Sequence, residues 1–165
     1  KKGLDETEKK TGKRIELAVR IDHTDYFKQG LDVKNWVKEG LVDIIIPSDG
    51  GNESFYSIAD FVKMTKGTKI RVYPCINATF FAAPHFTDEE KRAGKKETYE
   101  LVTPDIYKRR ALQLYESGAS GIHIFNNGLG RGILGKLGDV DRLTLWGNFE
   151  DPALLEETME IIGKR

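Results

Sequence analysis

Short runs of Val, Ile and Leu alternate with helical patterns along this chain, and that alternation constrains its fold more than any other feature. The runs cover residues 15–21, 42–47, 70–78 and 121–125, with a shorter strand-like piece at 143–146. Stretches such as Val42-Asp43-Ile44-Ile45-Ile46 hardly alternate with polar residues. A strand with one wet face would alternate; strands covered on both faces by crossover helices need not.

The segments between the runs carry helix grammar. Residues 32–39 place Val33, Trp36 and Val37 on one stripe, and Gly40 stops them. Residues 55–66 carry Phe55, Ile58, Phe61, Val62 and Met64, stopped by Gly67. Residues 103–117 open on Thr103 as cap and Pro104 at the first helical position, with Asp105 at the positive end of the helix dipole. Tyr107, Ala111, Leu114 and Tyr115 make their stripe, and Gly118 ends it. A short helix is expected over 133–137. A last one is expected after Asp151 and Pro152, striped by Leu155, Met159 and Ile162. At the start, residues 4–13 resemble the last turns of a helix ending at Gly12, as if it continued upstream.

Strands alternating with helices predict an α/β fold of parallel βαβ units. Two architectures fit the 165 residues. One is half of a (β/α)8 barrel, whose full length is roughly 250 residues. The other is a small doubly wound sheet. Polar residues gather where the runs end: Arg20, Asp22 and His23; Ser48 and Asp49; Asn77; Asn126 and Asn127. That clustering favours the barrel, because strand C-termini share one mouth there. A half barrel leaves open strand edges, so this reading expects a missing barrel half or a second copy as partner. The chain is taken as one domain or fragment over 1–165. The long irregular stretch 80–102 would then lie over the mouth.

Composition narrows the function classes. Lys plus Arg equals Asp plus Glu at 26 each. Zero net charge argues against a general electrostatic hold on nucleic acid or an anionic membrane. No apolar run nears the roughly 20 residues of a membrane span. One cysteine and three histidines do not make an evident metal centre, and none is expected. A basic start without an apolar stretch after it is no signal peptide; secretion or a periplasmic location would require one in a longer protein.

The residues Gly30-Leu31-Asp32-Val33, Trp36, Glu39-Gly40-Leu41-Val42-Asp43, Val72-Tyr73-Pro74, Gly118-Ala119-Ser120-Gly121-Ile122 and Phe125-Asn126 resemble, in that order, bacterial glycoside-hydrolase-like barrel proteins distantly similar to family 10 glycosidases. The resemblance spans about residues 13–140. It implies that the four main runs are the last four barrel strands and that the ligand is a carbohydrate. It also implies an acid/base carboxylate after strand four, which would precede Lys1, and a nucleophile after strand seven. The run matching strand seven, 70–78, contains neither Asp nor Glu and places Asn77 at the mouth.

Catalytic carboxylates are therefore sought at Asp22 and Asp49, after neighbouring runs; both residues also suit turns or caps. Arg20 fits an anionic group or a structural ion pair. His23 is a candidate acid or base, and Asn77 and Asn126 suit sugar hydroxyls as donor and acceptor. Trp36 fits the core; Trp146 could stack on a ring. No cofactor is expected on this reading. A rival reading places phosphate or a flavin on Gly128, Gly130 and Arg131, since loops after late barrel strands often bind phosphate. A third reading is a carbohydrate-binding barrel without catalysis.

Overall fold

The computed structural model describes residues 1–48, 56–77, 79–81, 89, 92–94, 99–101, 103–125 and 131–145. The fold is mixed α/β, with parallel strands in small sheets. Two compact units divide the chain. The first comprises Lys1–Asp49, Ser57–Cys75 and Leu114–His123; the second comprises Gly50–Tyr56, Ile76–Gln113 and Ile124–Arg165.

The first unit contains α1 (Lys2–Thr11), β1 (Ala18–Asp22), α2 (Val33–Lys38), β2 (Ile44–Ser48), α3 (Ala59–Thr65) and β3 (Arg71–Val72). Its sheet has the order β1-β2-β3, and both pairings are parallel, as the βα alternation predicts. Register sets Arg20 beside Ile46 and Asp22 beside Ser48. Side chains alternate along a strand, so Ala18, Arg20 and Asp22 share a face with Ile44, Ile46 and Ser48. Val19, Ile21, Ile45, Pro47 and Val72 share the other. That second face is the deeper one, with Ile21, Ile45, Pro47 and Val72 buried. Val33, Val37, Ile58 and Phe61 from the helical segments join this core. Each such side chain taken out of water contributes about 1.5–3 kcal/mol.

The helix ends follow the sequence pattern. Gly12, Gly40, Gly67 and Gly118 all take positive φ, which only a residue without Cβ adopts at little cost. Asp32 caps α2, its carboxylate accepting the Asn35 N–H at 3.1 Å. The helix predicted from residue 55 starts instead at Ala59, because the Ser57 hydroxyl accepts the Ala59 N–H and makes a turn there.

The strands are shorter than the runs. β1 begins at Ala18, leaving Ile15 half exposed. The reason is Asp43, a buried carboxylate just before β2. Its Oδ2 accepts the Leu17 N–H at 3.0 Å, while Oδ1 takes Lys1 Nζ at 2.8 Å and Arg14 Nη2 at 2.5 Å. The Leu17 carbonyl in turn accepts the Asp43 and Ile44 N–H groups. α1 has no buried residue of its own, and these polar links from its flanks tie it to the sheet.

The run 70–78 is two strands, not one. Tyr73-Pro74 separates β3 from β4 (Cys75–Asn77), since proline has no N–H for the ladder. Three elements run across the division between units: β4, α4 (Pro104–Glu116) and β7 (His123–Phe125). β4 and β7 form a two-stranded sheet.

In the second unit, β5 (Thr79–Phe81) pairs antiparallel with β6 (Tyr99–Leu101), Phe80 standing opposite Glu100. This corrects the reading of 80–102 as one irregular stretch: paired strands bracket it. Tyr99-Glu100-Leu101 is too brief, and too interrupted by its glutamate, to register as an apolar run. α4 has Pro104 first, as predicted, with Tyr107, Arg110 and Ala111 buried in this unit. α5 (Arg131–Leu137) and α6 (Val140–Leu145) follow, burying Ile133, Leu137 and Leu143. The piece 143–146 reads as strand-like in sequence, yet residues 143–145 are helical. Asp139 explains the difference: its Oδ1 accepts the Asp141 and Arg142 N–H groups and starts a helix there. The helix predicted after Asp151 lies outside the described residues.

Candidate functional site

The C-terminal end of a parallel sheet is where α/β proteins place their ligands. In the first unit that end carries Asp22, His23 and Ser48, followed by the turn-rich loop 23–31.

Asp22 closes β1 and is half-buried. Its Oδ1 accepts the Thr24 N–H at 2.8 Å, the Thr24 hydroxyl at 2.8 Å and the Asp25 N–H at 3.0 Å. The turn role expected for this residue is thus present. Burial pushes the carboxyl up. The Thr24 N–H, the Asp25 N–H, the Thr24 hydroxyl and the charge of His23 outweigh that, and Asp22 titrates below its ordinary value. A carboxylate so held stays ionised near neutral pH. It suits a nucleophile or base and is poorly suited to donate a proton.

His23 extends the β1–β2 ladder, its N–H donating to the Ser48 carbonyl at 2.9 Å. Its ring Nδ1 lies 3.2 Å from the same carbonyl. A carbonyl only accepts, so Nδ1 carries a proton in that contact.

The loop beyond is ordered by its own bonds. The Gln29 N–H donates to the Asp25 carbonyl, the Gly30 N–H to the Phe27 carbonyl and the Leu31 N–H to the Tyr26 carbonyl, all at 3.0 Å. Gly30 permits the turn through its φ of 81°. The Tyr26 ring packs against Phe61 with centroids 5.7 Å apart. Lys28 pairs with Asp25 at 2.7 Å on the surface.

Arg20 is exposed, on the same strand face as Asp22. Its charge also acts on His123: burial first, then Arg20, holds that imidazole below its ordinary value. His123 Nδ1 lies 3.4 Å from the sulfur of Cys75, the buried thiol of the first unit. At the start of β3, the Arg71 guanidinium pairs with Glu16 and stands 5.5 Å from the Tyr73 ring centroid.

Arg20, Asp22 and His23 therefore meet at one strand end. Asn77 ends β4 in the second unit, where it is buried. Arg131 opens α5, also in the second unit. Asp49, Asn126, Gly128 and Gly130 lie outside the described residues, as does Trp146; Trp36 is half-buried in α2. Among the described residues, no group of three or more His, Cys, Asp and Glu could hold a metal ion, and no helix is long and apolar enough to cross a membrane.

Sequence reasoning missed Asp43, Phe27 and His123. Asp43 is hidden inside an apolar run, where a lone carboxylate in a buried strand is itself a signal of a paired charge. His123 stands in the next-to-last run without a motif around it. Phe27 sits in the polar loop Thr24-Asp25-Tyr26-Phe27-Lys28-Gln29-Gly30, and an aromatic there is the available clue. Compared with known proteins, the chain matches no family model and no curated sequence.

Proposed function

We propose that this chain binds or acts on carbohydrate at the C-terminal end of β1 and β2, as the last βα units of a glycoside-hydrolase-like (β/α)8 barrel. The observation that carries the reading is Asp22: a half-buried carboxylate, held ionised, at the end of a parallel strand and next to an imidazole. In a glycosidase pair the ionised member is the nucleophile or base, and the protonated member is the acid. Asp22 takes the first role. Asp49, following β2, is the candidate for the second. Their separation would set the outcome, about 5–5.5 Å for retention and about 6.5–9.5 Å for inversion. His23 adjoins Asp22 at the same strand end. Arg20 supplies positive charge on the same face. The remaining barrel strands come from the missing half or from a second copy.

Calorimetric titration with cellohexaose, xylohexaose and chitohexaose tests the reading. At least one should bind, and inorganic phosphate should not compete. Asp22→Asn keeps an Oδ1 acceptor for the turn and removes the charge. Where an assembled barrel hydrolyses the bound sugar, this change should lower the rate by about 10²–10⁴-fold without unfolding the protein. Competition by phosphate or a flavin that is abolished by Arg131→Ala would replace the carbohydrate reading with the anion-binding one. Binding without any hydrolysis would select the non-catalytic barrel.

A further inference from the structure

Cys75 and His123 both belong to the first unit, on strands other than β1 and β2. Cys75 Sγ and His123 Nδ1 lie 3.4 Å apart, although the two residues are 48 positions apart in sequence. Backbone bonds on either side fix that approach. The Tyr73 N–H donates to the Ile45 carbonyl, the Ser120 N–H to the Val72 carbonyl and the His123 N–H to the Pro74 carbonyl, all at 2.9 Å. Thiol and imidazole are thus held together by the pairing of their strands. Cys75 is 1% exposed, while His123 is half-buried. Only a small reactant can reach the sulfur, and it does so beside the imidazole. Burial, and after it the charge of Arg20, holds His123 below its ordinary value. The imidazole is therefore neutral near pH 7 and able to take a proton.

We infer that Cys75 is an oxidation site for small hydroperoxides, with His123 as the base that takes the thiol proton. A buried thiol alone is inert, because its nucleophilic form is the thiolate. A base in contact with the sulfur changes that, as in other cysteine–histidine pairs. A buried thiolate–imidazolium pair is costly, so the proton moves to Nδ1 as sulfur attacks instead of beforehand. With hydrogen peroxide, an S–O bond forms while the O–O bond breaks. Sulfur loses two electrons and the peroxide gains them. His123 returns the proton to the departing oxygen, which leaves as water, and Cys75 becomes a sulfenic acid. One oxidation per chain follows, so Cys75 is a modification site and its chemistry is independent of any sugar at the β1–β2 strand end.

The full chain is treated with hydrogen peroxide at neutral pH, and sulfenic acid is trapped with dimedone and read by intact mass. The chain has one cysteine, so every label reports Cys75. Folded wild type should be labelled on the order of tenfold faster than the same chain unfolded in urea, even though unfolding exposes the sulfur. N-ethylmaleimide, a bulkier electrophile, should show the opposite order; rapid alkylation of the folded chain would overturn the selection for small reactants. His123→Asn keeps a polar group on the strand and removes the base. With its fold checked by unfolding temperature, it should be oxidised on the order of 10²-fold more slowly than wild type. If folded wild type is oxidised no faster than the unfolded chain, or if folded His123→Asn keeps the wild-type rate, Cys75 is a packing residue and the inference fails. Should His123→Asn not fold, the comparison of folded and unfolded wild type decides by itself.

Discussion

Two residues of the first unit show how closely side-chain identity is set by its neighbours. Gly121 has its Cα against the Tyr73 ring; a Cβ there would fall 2.9 Å from the ring carbons. Tyr73 cannot swing away without leaving the Arg71 guanidinium, which is held by Glu16. Gly121→Ala should therefore destabilise the protein by about 1–3 kcal/mol in urea denaturation. Tyr73→Leu in the same chain should remove most of that cost, which a double-mutant cycle reads directly. Asp22 is constrained differently. Three donors converge on one of its oxygens, so its charge and its turn role are separable: Asn serves the turn, and only Asp carries the charge.

At the scale of elements, caps decided more than apolar pattern. Residues 143–145 have strand-like composition, yet Asp139 accepts two backbone N–H groups and commits them to α6. Leu143 is then buried one helical turn along from the cap. Asp139→Ala should cost about 0.5–2 kcal/mol and lower helical content by circular dichroism. Asp141→Ala, on the exposed side of the same first turn, should stay within about 0.5 kcal/mol. α1 is held in another way. It buries nothing, and Asp43 links its flanking Lys1 and Arg14 to the Leu17 N–H.

For the whole molecule, these groups predict two steps in acid stability. Burial pushes Asp43 up, but the Leu17 N–H, Lys1 and Arg14 outweigh it and hold the carboxyl below its ordinary value, as happens at Asp22. A carboxyl lowered in the folded state contributes stability that is present above its unfolded pKa, near 4. That contribution is lost as pH falls through the lower folded value. His123 is also lowered, by burial and then Arg20. Its contribution is full above its unfolded value, near 6.5, and declines as pH falls from there through the folded one, because the unfolded chain takes up the proton first. Unfolding temperature should therefore drop in a first step beginning near pH 6.5 and a second beginning near pH 4. His123→Asn should flatten the first step alone. Asp43→Asn should shrink the second and lower stability at neutral pH.

The sequence by itself determined the parallel βα character, the helix stops at Gly12, Gly40, Gly67 and Gly118, the Asp32 and Thr103 starts, and the placement of Asp22 and His23 at a strand end. These are local properties: a glycine's positive φ, a cap's reach and the period of apolar residues need only neighbours in the chain. Tertiary structure decided the rest. The ends of the strands depended on Asp43 meeting Leu17, Arg14 and Lys1. The break in 70–78 showed its proline in the sequence, but the shift of pairing from β2 to β7 required the partners in place. The pairing of Tyr99–Leu101 with Thr79–Phe81 joins segments far apart in sequence, which no local period announces. The ionisation of Asp22 and His123 and the outward setting of Phe27 arise the same way, because burial, charge and exposure belong to the assembled surroundings of a side chain and not to its position in the sequence.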